Sequence, residues 1–212
     1  MKLKKNRKIL IVGYGQDAKV FTSQIDQNSK KIHVITNTKN KTTNKNILLK
    51  FVSIENRSAV FNYLKKFKNL DIYFFATHNI SSSQNENSLL SIKNLETNVI
   101  SLTNFLEFMF LNKKKNNKLF YACSSHIFEN SLSKKQNELT KPSFQSQYAL
   151  SKYLGLEICH YYKNIKNVFC SVGILYTHVS KYVNNNFLIK ELSTKLKKST
   201  NNIIYVNNIN SQ

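Results

Sequence analysis

Residues 8–18 read KILIVGYGQDA, and this stretch decides the fold. A short apolar run, rich in β-branched side chains, ends at two glycines, and apolar residues at helical spacing follow from Gln16 onward. The pattern predicts a strand, a tight turn and a helix in succession. The whole chain contains only four glycines, so two of them at one turn, Gly13 and Gly15, form an informative signal.

The turn has the pattern G-x-G-x-x-A, which between a strand and a helix is typical of dinucleotide binding. The first glycine allows the tight turn, the second lets the backbone approach a pyrophosphate, and the small third residue lets the helix pack closely on the strand. The helix N-terminus would then face the phosphates. The alternative is a tight turn without a ligand. The residues predicted to bind the dinucleotide here are Gly13, Gly15, Gln16, Asp17 and Ala18.

The rest of the chain alternates short apolar runs with segments of helical spacing, and no hairpin signal occurs between the runs. This alternation predicts an α/β fold, a doubly wound parallel sheet of the Rossmann type with helices on both faces. Right-handed crossovers would bring the strand C-termini to one edge, where ligands bind. The predicted strands cover residues 8–12, 31–36, 47–52, 71–76, 118–124, 168–172 and 203–206, and the predicted helices cover 16–28, 57–67, 99–109, 147–161 and 187–196.

The formal charge of +21 would ordinarily suggest a nucleic acid or an anionic membrane as partner. Only two of the 32 basic residues are arginines, however, and arginine makes the bidentate contacts to phosphate and guanine. The lysines are scattered, and the depletion of glycine and proline fits AT-rich codon usage. A nucleic-acid partner is therefore not favoured. The alternative is that the chain uses this fold to bind a nucleic acid or another polyanion through its basic surface.

The sequence gives no signal for a membrane or a metal. No apolar run approaches the roughly 18 residues of a transmembrane helix, and residues 9–12 are too short for a secretory signal core. The three cysteines lack the C-x-x-C spacing of a zinc site, and they do not suggest a disulfide framework. The prediction is a cytoplasmic chain with no metal site.

The end of the second predicted strand bears on the kind of dinucleotide. A carboxylate there would hydrogen-bond the ribose of NAD and repel the 2′-phosphate of NADP. The sequence reads Asn37-Thr38-Lys39, with no acidic residue. This favours NADP as the cofactor, with NAD as the alternative.

A second constellation joins Tyr148 and Lys152, four residues apart on one face of a predicted helix. An ammonium beside a phenol favours the phenolate, so Lys152 is expected to lower the pKa of Tyr148 from its usual value of about 10. Ser124, at the end of an earlier predicted strand, can hold a substrate oxygen next to the phenol. Together they suit acid–base catalysis of hydride transfer at a carbon that bears a hydroxyl.

These motifs resemble the extended short-chain dehydrogenase/reductase family of NAD-dependent epimerases and dehydratases, and within it the GDP-mannose 4,6-dehydratase family. The resemblance runs nearly from end to end of the chain. GQD (15–17) and GILYTH (173–178) are the segments more specific to the dehydratases. The matching segments are GQD (15–17), DIY (71–73), FYACSS (120–125), ELT (138–140), YALSK (148–152) and GILYTH (173–178).

The resemblance implies oxidation at C4 of a nucleotide-linked hexose such as GDP-mannose, loss of water across C5–C6 and reduction at C6. Tyr148 would remove the proton of the 4-hydroxyl, Lys152 would hold the nicotinamide ribose, and Ser124 would contact the substrate oxygen. It also suggests a homo-oligomer. The further cofactor contacts implied are Asn37, Ser53, Ile54, Phe75, Ala76, Thr77 and His178, and the further substrate contacts are Ser125, Asn186 and Lys190.

Two departures from the family qualify this prediction. His126 stands where the family has the glutamate that takes the C5 proton, although a neutral imidazole can also act as a base. The 212 residues are expected to hold a Rossmann domain at 1–175 and only the start of a substrate lobe at 176–212. The alternatives are therefore an impaired or non-catalytic dinucleotide-binding remnant of the family, or a sugar-nucleotide epimerase.

Overall fold

A computed structural model describes residues 7–25, 31–37, 42, 44–78, 88–129, 135–183 and 188–198. Six strands form one sheet in which every pair of neighbours is parallel. The order β3-β2-β1-β4-β5-β6 is that of a doubly wound Rossmann sheet, which confirms the predicted fold class. The strands are β1 (Lys8–Val12), β2 (Ile32–Thr36), β3 (Ile47–Phe51), β4 (Leu70–Phe74), β5 (Lys118–Ser124) and β6 (Cys170–Leu175).

Helices lie on both faces of the sheet, and the structure describes no helix between β2 and β3. The segment predicted as one amphipathic helix at 99–109 is part of a longer helical stretch, in which a π-helical segment, Glu96–Ser101, joins two α-helices. The other predicted helices are found with shifted ends. The α-helices are α1 (Gln16–Gln24), α2 (Arg57–Leu64), α3 (Ser88–Leu95), α4 (Leu102–Leu111), α5 (Gln147–Asn164) and α6 (Leu188–Lys198).

The core forms two layers because successive side chains of β1 point to opposite faces of the sheet. Ile9 and Ile11 pack with Ala18 of α1 on one face. Leu10 and Val12 belong to the larger cluster on the other face, which includes buried residues of α2, α4 and α5. A strand with four successive apolar, buried residues, as at 9–12, therefore suits a sheet buried on both sides.

The last strand of the described sheet differs most from its prediction, because β6 starts two residues later and continues three residues further. The extension is stabilised by backbone pairing with the long β5, from Leu119 beside Cys170 to Ser124 beside Leu175. Within it, a Cβ on Gly173 would lie 2.6 Å from the Phe120 ring, so any other residue there would require that ring to move. The strand predicted at 203–206 lies outside the described residues.

The described ranges contain neither a membrane-spanning helix nor a cluster of metal-binding side chains. None of the helices found there has both the length and the apolar character needed to cross a bilayer. Within the same ranges, no group of three or more His, Cys, Asp or Glu side chains has an arrangement that could hold a metal ion.

Candidate active site

The glycine turn lies where the sheet reverses its winding, between β1 and β4. Gly13 has a φ of +87°, and its N–H donates to the carbonyl of Ile35 at 2.9 Å. A Cβ at Gly13 would lie 2.7 Å from both the Cα and the backbone nitrogen of Ala76. Backbone conformation and packing both require glycine here. In an open α/β sheet, this switch point at the strand C-termini is where ligands bind.

The space in front of α1 suits a pyrophosphate. Gly15 is the N-cap of α1, and no side chain caps the first N–H groups of that helix. A Cβ built on Gly15 would meet no described atom within 4 Å. Ala18 is fully buried, so α1 packs closely on the sheet. Exposed helix N–H groups facing open space form an anion site, so the residues present fit a dinucleotide.

The first turn of α1 is linked to the segment after β6. Nε2 of His178 lies 2.6 Å from Oδ1 of Asp17, and Nδ1 of His178 lies 2.8 Å from the carbonyl oxygen of Tyr176. The Gln16 side chain donates to the carbonyl of His178 at 3.1 Å. The Tyr176 carbonyl raises the pKa of His178, partial burial opposes this, and Asp17 raises the pKa further. Both ring nitrogens face acceptors, which is the arrangement of an imidazolium.

Tyr148 lies in the first turn of α5, after the N-cap Ser146, whose hydroxyl accepts from the Ala149 N–H at 3.1 Å. Burial raises the pKa of Tyr148, while interactions with the hydroxyls of Ser124 and Thr77 partly oppose the rise. Ser124 is buried at the end of β5. The Thr77 hydroxyl approaches the phenol but makes no hydrogen bond of good geometry with a described residue. The Thr77 hydroxyl can therefore form a hydrogen bond to a ligand that binds beside the phenol.

Lys152 is almost completely buried behind Tyr148. Its Nζ donates to the carbonyl of Ala122 at 2.8 Å and lies 5.9 Å from the centroid of the Tyr148 ring. Burial lowers the pKa of Lys152 to about 8. In this arrangement Lys152 Nζ is held by the Ala122 carbonyl, and burial of the phenol outweighs the lowering of the Tyr148 pKa that was expected from the ammonium.

His126 lies in a 3₁₀ turn, Ser125–Phe128, that follows β5 directly. Its ring meets the Tyr148 ring edge-on, with centroids 5.6 Å apart, and its side chain is 52% exposed. Nδ1 of His126 lies 2.5 Å from Oε1 of Glu129. Sequence reasoning missed Glu129, although its spacing of three residues from His126 within a tight turn is a usable signal.

The π-helical segment contributes a second group that the sequence did not reveal. The Asn98 amide donates to the Ser151 hydroxyl at 2.9 Å, one residue before Lys152 on α5. The Oδ1 of Asn98 and the hydroxyl of Tyr121 are buried without a hydrogen-bond partner among the described residues. Regular α-helical periodicity does not predict the contact between Asn98 and Ser151, because a π turn changes which residues face inward.

The other predicted cofactor residues follow the carboxyl ends of β2, β3 and β4. Ala76 is buried against Gly13, and the Ile54 side chain lies in the larger core cluster. Phe75 packs against the smaller cluster, on the face of the sheet covered by α1. Asn37 is exposed, and Ser53 is exposed with its hydroxyl 3.3 Å from Oε2 of Glu55. Their roles toward a cofactor stay predictions.

The predicted substrate residues are only partly covered by the structure. Ser125 opens the turn after β5 and is partly exposed, so it lies next to Ser124 and His126. Lys190 lies on α6 and is partly exposed. Asn186 lies outside the described residues, as do Thr38 and Lys39. The domain boundary at 175 coincides with the last residue of β6 and stays a prediction.

Comparison with known proteins identifies the family of the chain. The family model described as GDP-mannose 4,6 dehydratase matches residues 10–212 of the chain. A search of curated protein sequences finds no significant match.

Solved structures show the same fold at low sequence identity. A dTDP-glucose 4,6-dehydratase from Bacillus anthracis, solved with NAD, is 22% identical with a TM-score of 0.73, and the match covers 91% of this chain and 61% of that chain. A UDP-galactose 4-epimerase is 18% identical with a TM-score of 0.74, over 91% and 63% of the two chains. A UDP-glucose 4-epimerase from Thermotoga maritima, solved with UDP-glucose, is 17% identical with a TM-score of 0.65, over 78% and 54%. The matched part of each of these proteins is less than two thirds of its length.

Proposed function

The chain belongs to the GDP-mannose 4,6 dehydratase family, and we propose that it acts as an NADP-dependent sugar-nucleotide 4,6-dehydratase on GDP-mannose. The reaction is oxidation at C4 of the hexose, loss of water across C5–C6 and reduction at C6. The observation that carries the proposal is that the Tyr148 phenol meets the hydroxyls of Ser124 and Thr77, and Thr77 follows Ala76, the residue that packs against Gly13. A phenol and a serine hydroxyl next to a dinucleotide turn suit proton exchange with a sugar hydroxyl.

The cofactor would be held by the glycine turn and the first turn of α1. Gly13, Gly15, Gln16, Asp17 and Ala18 would surround the pyrophosphate, and the open space at Gly15 supports this placement. When bound, the nicotinamide supplies a hydride acceptor for C4 and the hydride that returns at C6. The absence of a carboxylate at Asn37-Thr38-Lys39 supports NADP over NAD.

Tyr148 would exchange the proton of the sugar 4-hydroxyl, with Ser124 holding the same oxygen. In the described arrangement burial raises the pKa of Tyr148, so the phenol is protonated and must be activated before it can act as a base. Lys152 would activate the phenol, because its Nζ lies only 5.9 Å from the centroid of the phenol ring. A shift of this group from the Ala122 carbonyl toward the phenol would favour the phenolate.

His126 would take the C5 proton once C4 is a ketone. Its ring lies edge-on to Tyr148 and is about half exposed, so a sugar that contacts the phenol also comes within reach of the imidazole. Ser125, Asn186 and Lys190 would contact the substrate.

The direct test is incubation with GDP-mannose and NADP⁺, followed by an assay for a 4-keto-6-deoxy sugar nucleotide. Tyr148→Phe should abolish product while leaving dinucleotide binding largely intact. Tyr161→Phe, which changes an exposed tyrosine of the same helix, is the matched control and should retain activity. A folded chain that binds the dinucleotide but forms no product would contradict the dehydratase assignment.

A second candidate, a sugar-nucleotide epimerase, is favoured by the histidine at position 126. Redox chemistry at C4 requires Tyr148, Ser124 and Lys152 but no base at C5, so loss of the family's glutamate is harmless to it. The same incubation with UDP-glucose, assayed for the C4 epimer, distinguishes the two enzymes. Dinucleotide binding with neither product is the expected result for a non-catalytic remnant.

A further inference from the structure

The Glu129 carboxylate joins the turn after β5 to the beginning of α5. Oε1 lies 2.5 Å from Nδ1 of His126, and Oε2 accepts the backbone N–H groups of Gln145 and Ser146 at 3.1 and 3.3 Å. Both oxygens also lie within 3.3 Å of the Ser146 hydroxyl. The same carboxylate therefore contacts the ring of His126 and the N-cap of the helix that carries Tyr148.

These contacts keep Glu129 ionised. Partial burial by itself would raise the pKa of the carboxyl, but hydrogen bonds from His126, Gln145 and Ser146 hold it below its ordinary value. The N-terminus of an α-helix also favours a negative charge. An ionised carboxylate can only accept hydrogen bonds, so its close contact with His126 requires Nδ1 to carry the proton.

We infer that Glu129 is a positioning residue that fixes His126 with Nδ1 as donor and Nε2 as the proton-accepting atom. The inference rests on the proposed function, since it assigns an orienting partner to the base of that reaction. A carboxylate behind an imidazole selects the tautomer and stabilises the imidazolium that forms when the ring accepts a proton. Glu129 thereby supplies the negative charge that the family's glutamate carries, and the imidazole of His126 lies between that charge and the substrate.

The elimination then balances without another reactant. Nε2 takes the proton from C5 of the 4-keto sugar, the electron pair of that C–H bond forms the C5–C6 double bond, and the C6–O bond breaks. The proton on Nε2 passes to the departing hydroxide, so water leaves and the imidazole becomes neutral again. Throughout this exchange the charge of Glu129 faces Nδ1.

The test uses the orientation of an amide at position 129. In Glu129→Gln the amide oxygen should take the place of Oε2, because two backbone N–H groups point at that site. The amide NH₂ then faces Nδ1 of His126 and should invert the tautomer, leaving Nε2 protonated and unable to accept. Ser146→Ala is the control, since it removes a hydroxyl from Glu129 but leaves the contact between Glu129 and His126 in place.

Long-range ¹H–¹⁵N spectra of ¹⁵N-histidine-labelled protein at about pH 8.5, where an ordinary imidazole is neutral, report the tautomer directly. We expect the Nδ1–H form in the wild type and in Ser146→Ala, and the Nε2–H form in Glu129→Gln with its melting transition retained. A wild type in the Nε2–H form, or an unchanged tautomer in Glu129→Gln, would overturn the inference.

Activity gives the second arm. In the dehydratase assay Glu129→Gln should lose about 10²-fold or more of product formation. If the wild type forms no product, the proposed function fails while the tautomer measurement still decides the role of Glu129. Full activity of a Glu129→Gln protein with an inverted tautomer would also overturn the inference.

Discussion

Nε2 of His178 and Oδ1 of Asp17 are 2.6 Å apart, although 161 residues separate them in the chain. The contact joins the first turn of α1, next to the glycine turn, to the segment that follows the last described strand. It brings together GQD and GILYTH, the two segments that resemble the dehydratases most specifically. The dinucleotide turn is therefore fixed by tertiary structure as well as by its own glycines.

The link between His178 and Asp17 should depend on pH. The pKa of His178 is raised above its ordinary value of 6.5, so its stabilisation is complete below that pH and is lost as the pH rises through the raised pKa. Both side chains are more than a third exposed, so the contribution is below about 1 kcal/mol. Urea unfolding should show a larger deficit for His178→Gln at about pH 6 than at about pH 8.5.

Asp17→Asn is the partner control for that experiment. It removes the carboxylate that faces His178. When His178→Gln is added to Asp17→Asn, the resulting loss of unfolding free energy should therefore depend less on pH than it does in the wild type. An identical deficit at both pH values would contradict the charged link.

Gly13 and Gly15 should respond differently to alanine. Gly13→Ala forces a side chain into positive φ and against the backbone of Ala76, and should lower the free energy of unfolding by roughly 2–4 kcal/mol. Gly15→Ala places its methyl in open space and should change that free energy by less than about 1 kcal/mol. It should nevertheless weaken dinucleotide binding by about tenfold or more, because the methyl takes space needed by the pyrophosphate.

Denaturant unfolding and calorimetric titration on the two variants measure both effects. Equal stability of the two variants would show that the Gly13 turn relaxes freely. Unchanged affinity in Gly15→Ala would show that the dinucleotide does not approach this part of the loop.

Lys152 should give a stability signal of opposite sign to His178. Its pKa is lowered from 10.5 to about 8, so the unfolded chain binds more protons between these values and the stability of the wild type rises with pH there. Below pH 8 the buried charge therefore destabilises the fold by roughly 3 kcal/mol. Lys152→Met should therefore be at least as stable as the wild type at neutral pH.

The difference in unfolding free energy between Lys152→Met and the wild type should shrink as the pH rises from about 8 to about 10, since the neutral lysine no longer opposes burial. Titrating groups distant from Lys152 affect both proteins equally, so the difference between the two proteins is the diagnostic quantity. A Lys152→Met protein that is much less stable at neutral pH, by the same amount at every pH, would contradict a lowered pKa.

Local sequence signals predicted the features that depend on local chemistry. The apolar run before Gly13 predicted a strand, and the small Ala18 predicted close packing of α1. Both are properties of consecutive residues, which is why periodicity and glycine placement revealed them. The extension of β6 to Leu175 was missed because it depends on pairing with β5, which no local pattern encodes.

Contacts within the site were harder to predict for the same reason. The spacing of Tyr148 and Lys152 correctly placed them on one helix, but the choice of Ala122 as partner of Lys152 depends on burial against β5. The partner of Asp17 lies in another motif, and the contact of Asn98 with Ser151 depends on a π turn. Side-chain identity was visible in the sequence, whereas the direction of each pKa shift required the tertiary environment.

The decisive measurement is calorimetric titration of the folded chain with NADP⁺ and, separately, with NAD⁺. The open space at Gly15, the uncapped N-terminus of α1 and the non-acidic end of β2 predict saturable binding of one dinucleotide per chain, tighter for NADP⁺. Gly15→Ala should weaken that binding while remaining folded. A folded wild-type chain that binds neither dinucleotide would contradict the assignment of the glycine turn and, with it, the dehydratase chemistry.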